Sequence, residues 1–345
     1  MRLCVLYIVS VLFLTSCNHK DNNSYTVFEE SQSLTSEIIN IDSLYLRYPF
    51  RIKHRDSIAL ILDLHHPEYF YHLFSYPEFK HKYSFGRRGE APTDILSAEN
   101  FRFLSDEGMY GLDANKHLLT NVSFENDSET VLNKEIALDK DIIRALDFVV
   151  YNDSCFIIPD YSGKYRFHFV DSYGKIKKSY GKIPSSKHKN GNIALAQAWR
   201  SFIDYNPNNQ ILAMVTQLGE VLEIYNLKDN THTVKIGPHG EPEFKTGNEM
   251  AIPSGIMGFS DIQVTDEYIY AVFHGRSFKE IAKQSHNAMD GGKFIYVFSI
   301  TGEPIYQYTL DHFIYGIDVN EETKSIYAVD VNSNNPIIKY KIEHL

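Results

Sequence analysis

The chain has 345 residues, with 24 tyrosines, 22 phenylalanines, a single tryptophan, three cysteines and a formal net charge of −10. An acidic balance argues against a nucleic-acid partner, which requires a basic face. The length is enough for a sizeable core in one domain, and the aromatic content favours strands.

The amino end reads as a targeting signal. Met1 and Arg2 make a minimal positive start, and Cys4 through Leu14 is an almost unbroken apolar run. That run is too short to span a bilayer, which needs roughly 20 residues, but it fits a secretory core region. Leu14-Thr15-Ser16-Cys17 then resembles a lipobox, in which small residues let a signal peptidase cut before Cys17 and the thiol takes a diacylglycerol. The expected organisation is a lipoprotein signal peptide over residues 1–16, a polar lipid-anchored tether over 17–43 and a folded domain over 44–345. Lipidation at Cys17 attaches the protein to a membrane without a spanning helix. With Cys4 removed and Cys17 acylated, Cys155 is left alone in Ser154-Cys155-Phe156-Ile157-Ile158. No internal disulfide is then expected. Core packing is its expected role, because nothing nearby would lower its pKa.

Five segments are apolar on both faces: Ser57–Leu62, Cys155–Ile158, Ile211–Val215, Tyr268–Phe273 and Ile326–Val329. A half-buried strand alternates apolar and polar residues, whereas a strand covered on both sides need not. Radially stacked sheets cover their inner strands in this way. Around these runs six units follow, at about 47–85, 99–139, 144–182, 195–237, 257–310 and from 313 onward. The second is weakest by pattern. The sixth has only three evident strands, so an all-β ring of six blades needs one more to close it. An N-terminal strand is expected to supply it, with Tyr25-Thr26-Val27-Phe28 as the candidate. Asn192 to Phe202 reads as a helical turn or an irregular lead into a strand around Trp199. Ser277 to Lys293 reads as a polar insertion ending in Met289-Asp290-Gly291-Gly292.

Two stretches share the form apolar-Gly-x-x-Gly-Glu followed by Pro: Phe85 to Pro92 and Ile236 to Pro242. Their first glycines are 151 positions apart (237 − 86). One third of that is about 50 residues, within the length range of a propeller blade or kelch-type repeat. The two stretches are expected at the same corner of the repeat, half a turn apart. As hinges they need glycine for backbone freedom and proline to fix the exit. As a functional surface, Arg87, Arg88, Glu90, His239 and Glu241 would rim a shared ligand site near the ring axis, with arginines forking onto an anion.

The lipobox at Cys17, the two glycine corners, the strand Tyr268–Phe273 with His274-Gly275, the Phe294 to Leu310 segment with its Thr301-Gly302 turn, and Ile326-Tyr327-Ala328 follow one another in an order that resembles the TolB-like six-bladed β-propeller lipoproteins of Gram-negative bacteria. The resemblance spans nearly the whole mature chain and implies an outer-membrane lipoprotein in the cell envelope. It brings no catalytic residues with it.

Chemistry-bearing motifs are sparse. His65-His66 would point to opposite faces of a strand, and no metal spacing or calcium loop occurs, so no metal or cofactor is expected. Asp139-Lys140-Asp141 and Asn332 to Asn335 read as turns. There is no nucleophile elbow, phosphate loop or dinucleotide fingerprint. The expected function is a non-enzymatic binding or scaffold module for a protein or glycan. The alternative is an envelope hydrolase or lyase acting on glycans or peptides in the propeller channel.

Overall fold

The computed structural model describes residues 23–41, 44–104, 108–125, 129–189, 191–284 and 288–343. The signal peptide expected over residues 1–16 and Cys17 lie outside the described residues. Two short strands open the described chain, β1 (Glu30–Leu34) and β2 (Glu37–Ile39). Six sheets then follow around an axis. Blade one holds β3 (Pro49–Arg55), β4 (Ile58–Asp63), β5 (Tyr69–Ser75) and β6 (His81–Arg87). Blade two holds β7 (Ala98–Phe103), β8 (Gly108–Asp113), β9 (Leu118–Glu125) and β10 (Glu129–Ala137). Blade three holds β11 (Val149–Asn152), β12 (Cys155–Pro159), β13 (Phe167–Asp171) and β14 (Ile176–Tyr180). A short helix, α1 (Ile193–Ala198), leads into blade four, which holds β15 (Ser201–Asn206), β16 (Ile211–Thr216), β17 (Val221–Asn226) and β18 (Thr231–Ile236). A hairpin, β19 (Phe244–Gly247) and β20 (Met250–Pro253), separates it from blade five. That blade holds β21 (Phe259–Val264), β22 (Tyr268–Phe273), helix α2 (Phe278–Gln284), β23 (Gly292–Ser299) and β24 (Pro304–Ile314). Blade six has β25 (Ile317–Asn320), β26 (Ser325–Val329) and β27 (Ile337–Lys341).

The five doubly apolar runs are the second strands of blades one, three, four, five and six. Every residue of β16 and of β26 is buried. The second strand of each blade is sandwiched by the neighbouring blades, so it has no wet face to mark with polar residues. Blade two reads weakly because its second strand, β8, carries Gly108 and Gly111 in place of large apolar side chains. Cys155 opens β12, half-buried, and burial pushes its thiol up rather than activating it.

An N-terminal strand closes the ring, but it is not Tyr25–Phe28. Strand β2 pairs antiparallel with β27, Ile38 facing Ile338, and becomes the fourth strand of blade six. The segment before it works as a strap. Ser24 bridges Ile236 beside the outer strand of blade four, and β1 runs parallel to β24 on the outer edge of blade five. Three consecutive outer edges are therefore covered by one stretch of chain, and an exposed outer edge is a template for unwanted pairing. Tyr25 and Phe28 are buried as plugs against Phe298. Their aromatic character serves packing between blades, so the strand-like pattern there marks burial and not a blade strand.

The inner strands present backbone N–H groups to a buried channel, and each such donor needs a partner. Side chains of the adjacent blade supply one at a repeating position. Asp147 accepts from Ile203 N at 3.0 Å, Asp204 from Val264 N at 2.8 Å, Asp261 from Ile317 N at 2.9 Å and Asp318 from His54 N at 2.8 Å. These links run from blade three to four, four to five, five to six and six back to one. The last crosses the closure, so the axis is stitched as well as the rim.

Candidate functional site: the axial mouth

A second repeated aspartate ends or directly follows the second strand of four blades: Asp63, Asp113, Asp160 and Asp330. Asp63 accepts from the backbone N–H groups of Arg47, Tyr48, His65 and His66. Asp113 does the same for Leu96, Ser97, Asn115 and Lys116. One carboxylate thus ties the turn after the second strand to the lead-in of the first strand, on one face of the ring. An aspartate at the end of three of the five apolar runs, Asp63, Asp160 and Asp330, was the signal in the sequence that could have found this device.

Blades four and five break the pattern, with Thr216-Gln217 and His274 at the equivalent place. These are also the blades whose connections carry the β19–β20 hairpin and α2. Helix α1 is capped by Asn192, whose side chain accepts from Leu195 N at 2.9 Å. Its apolar face packs Leu195 and Ala198 beneath the hairpin, and Ala251 N donates to Gln197. Helix α2 begins with a capping box, in which Glu280 N donates to the Ser277 hydroxyl and Ser277 N donates to the Glu280 carboxylate.

On this face the ring opens into an axial mouth of about 460 Å³. Its wall comes from blades one, two, four, five and six. Aromatic rings are supplied by Tyr48, Phe50, Phe202 and Tyr315, and polar groups by His65, Glu99, Arg200, Gln217 and Asp290. Phe50 and Tyr315 pack at 4.8 Å between centroids, and Tyr48 and His65 at 4.6 Å. Below them Arg51 is fully buried, its guanidinium 3.9 Å from the Phe50 centroid and 4.9 Å from that of Phe202. Its charge is balanced by Asp261 at 3.4 Å.

The polar groups are held in place before any ligand arrives. The Tyr48 hydroxyl donates to Asp290. Asp290 N donates to the Asn332 side chain, and the Asn332 amide donates back to the Asp290 carbonyl. The end of the blade-five insertion is thereby fastened to blade six. Burial and then the neighbouring Tyr315 and Asp290 push the Tyr48 phenol up, so it remains a donor. Arg200 lies 3.5 Å from Glu99. Desolvation nevertheless holds the Glu99 carboxyl above its ordinary range, against the pull of Arg200 and Ser97. Among the described residues no three His, Cys, Asp or Glu side chains are grouped to hold a metal ion.

The five residues singled out in the glycine corners are divided between blades one and four, on opposite sides of the ring, and none lines the axial mouth. Both corners do sit at the exit of an outer strand. Arg88 donates to the carbonyls of His66 and Leu64 at 3.0 and 2.5 Å and stacks on Phe70. Glu241 is buried and accepts from Ser185 and Ser186. His239 meets Glu220 at 2.6 Å, and Tyr25 of the strap donates to the other oxygen of that carboxylate. Gly237 is required because a Cβ there would lie 2.1 Å from Glu220. These three side chains hold the corners together. Arg87 and Glu90 are exposed. The residues of the mouth are each locally ordinary, and although His65, Arg200, Phe202 and Asp290 lie in stretches with a distinct pattern, nothing in those stretches links them to one another.

His274 is buried behind the mouth with neither ring nitrogen partnered, edge-on to Tyr315. Burial lowers its pKa to about 4, with Asp290 pulling up and Arg276 pushing down. His72 is also buried, and desolvation together with His66 and His81 takes it to about 3. Both stay neutral in the fold but gain a proton in the unfolded chain below about pH 6.5. Stability present above pH 6.5 is therefore lost as pH falls toward the folded values, by about 2–3 kcal/mol per histidine at pH 4.5. Denaturant midpoints between pH 7 and 4.5 should fall accordingly, and His274→Leu should remove about half of that slope. A slope unchanged in this variant would contradict the assignment.

A family profile described as TolB-like 6-blade propeller-like matches residues 26–322. No curated protein sequence matches the chain. Among solved structures, the fold is shared with a protein of Bacteroides fragilis NCTC 9343 described only provisionally as exported, at 11% identity and TM-score 0.58, covering 93% of this chain and 99% of that one. It is shared with a member of the duf4221 family from Bacteroides vulgatus ATCC 8482, at 10% identity and TM-score 0.56, covering 90% and 96%. The WD40 repeats of RRP9 superpose at 7% identity and TM-score 0.53, covering 90% and 99%.

Proposed function

Since this chain belongs to the TolB-like family of six-bladed propellers, with the match extending over residues 26–322, we propose that it is a binding module of the cell envelope whose axial mouth takes a glycan. The observation that carries this reading is the composition of the mouth. Four aromatic rings converge there with a held tyrosine–aspartate pair, a glutamate–arginine pair and a glutamine. Ring faces suit the C–H faces of sugars, and the fixed donors and acceptors suit their hydroxyls. Such a site is preorganised, which limits the ordering cost of binding.

The apolar amino-terminal run and the lipobox-like Leu14-Thr15-Ser16-Cys17 support a lipid-anchored position on the outer membrane. The described chain begins with Asn23 and Ser24 beside the outer strand of blade four, where Ser24 bridges Ile236.

Titration with a panel of neutral and acidic oligosaccharides tests the reading. At least one member should bind, and Arg200→Ala and Asp290→Asn should each weaken it by about tenfold, the value of one or two lost polar contacts. Glu99 and Asp290 sharing one mouth keep a hydrolase or lyase reading in view, and cleavage of a panel member would replace the binding reading with that one. No binding by any member would overturn the glycan assignment.

A further inference from the structure

A second recess lies away from the axis, between blades one and two. It encloses about 210 Å³. Strands β8, β9 and β10 form its floor, and the outer strand β6 with Tyr71 of β5 forms its roof. The Tyr83 hydroxyl donates to the Glu129 carbonyl at 2.9 Å, joining the two blades.

The strand register sorts the lining into an apolar end and a polar end. Met109, Val122 and Leu132 stand in one row across the three floor strands. Gly111, Thr120 and Glu135 stand in another. Over that second row sits the Tyr71 ring, whose hydroxyl would lie 2.7 Å from a Cβ at position 111. Tyr71 is 2% exposed. Its hydroxyl lines the recess with no hydrogen-bond partner among the described residues, and burial first and Asp113 second push its pKa up. A buried tyrosine hydroxyl ordinarily finds a partner. Here the group is presented to empty space.

The charges at the polar end are of two kinds. Lys116 is occupied by the carbonyls of Ala91, Pro92 and Asp94, and Asp113 by four backbone N–H groups. Asp94 accepts from Ala91 N. Arg87 and Glu135 are exposed, line the recess, and form no ion pair with each other or with any other described residue. A free cation and a free anion therefore flank one opening, beside an unsatisfied hydroxyl and above an apolar end.

We propose that this recess is a binding site for a free α-amino acid with an apolar side chain. Arg87 takes the carboxylate, Glu135 takes the ammonium group, and Tyr71 donates to the carboxylate from within. The side chain occupies the Met109–Val122–Leu132 row. A dry cavity of roughly 150 Å³ is enough for a benzene ring, so the recess has room for an aromatic or branched side chain with its head group at the mouth. This site is independent of the axial mouth and does not rest on the glycan reading.

Calorimetric titration of the mature chain with L-phenylalanine and L-leucine tests it, alongside 3-phenylpropionate, which lacks the ammonium group, and phenethylamine, which lacks the carboxylate. The amino acids should bind, and each truncated analogue should bind at least about tenfold more weakly, the cost of one charge-assisted pair. Arg87→Ala and Glu135→Ala, both at exposed positions, should fold normally and each lose about tenfold for L-phenylalanine. Absence of amino-acid binding would overturn the proposal. So would equal binding of 3-phenylpropionate, or affinity unchanged in either variant.

Discussion

A chain beginning at residue 41 is expected to lose its cooperative fold at ambient temperature, while one beginning at residue 23 melts like one beginning at residue 17. Residues 23–40 bury Tyr25, Phe28 and Leu34 and supply β1 and β2 to the outer edges of blades five and six. Full burial of one large apolar side chain is worth about 1.5–3 kcal/mol, so three account for about 5–9 kcal/mol before any strand pairing is counted. Domain stabilities of about 5–15 kcal/mol leave little after that loss. The removal also uncovers Glu220 beneath the second glycine corner and the edges of three blades, so the truncated chain should associate through them. Calorimetry and light scattering on the two truncations give the comparison. Equal melting temperatures would show that the strap decorates a ring already closed.

The second large effect is expected between blades three and four. Arg166 is fully buried, donates to Glu223 at 2.8 Å and to the Ser201 hydroxyl at 2.5 Å, and reaches the Trp199 carbonyl at 3.3 Å. Tyr225 donates to the second oxygen of Glu223, and His232 lies 3.4 Å from it. Burial works to raise the Glu223 carboxyl, but Arg166 and then His232 hold it below its ordinary range. Arg166→Met leaves that carboxylate buried without its cation and should cost about 3–5 kcal/mol. For a domain of this size that is a fall in melting temperature of about 5–8 °C. Replacing Glu223 by leucine in the same chain should recover part of the loss, because the unpaired charge then goes too. Glu223 stability is present above the unfolded carboxyl pKa and is lost as pH falls through the lower folded value. The gap between wild type and Arg166→Met should accordingly narrow below about pH 4. A methionine variant that melts with wild type would mean that the pair contributes nothing net.

The ring was legible in the sequence where burial leaves a mark that needs no partner to interpret. A run such as Ile211 to Val215 is apolar on both sides because blades cover both its faces. Gly86 and Gly237 mark outer-strand exits of opposite blades because the chain must pass close to other groups there, Tyr71 in one case and Glu220 in the other. The strap was misplaced because the sequence shows that Tyr25 and Phe28 want burial but not which blade receives them. Its true closing strand, Glu37–Ile39, is three residues long, and Ile38 is half exposed, so its signal is faint. The axial mouth was illegible for a different reason. Tyr48, Glu99, Arg200, Gln217, Asp290 and Tyr315 come from five blades, and no spacing links them until the ring closes. Arg88 and Glu241 looked like ligand groups because charge near glycine suggests a loop surface; both are spent on holding the corners.

The single tryptophan offers the most direct test of the axial mouth. Trp199 is fully buried and precedes Arg200, which lines the opening. Labelling with 5-fluorotryptophan gives one fluorine resonance whose position reports on that wall. Added oligosaccharide should shift it in wild type and, in Arg200→Ala, only at about tenfold higher concentration. A resonance that stays fixed while the sugar binds would place the ligand elsewhere on the ring and contradict the assignment of the mouth.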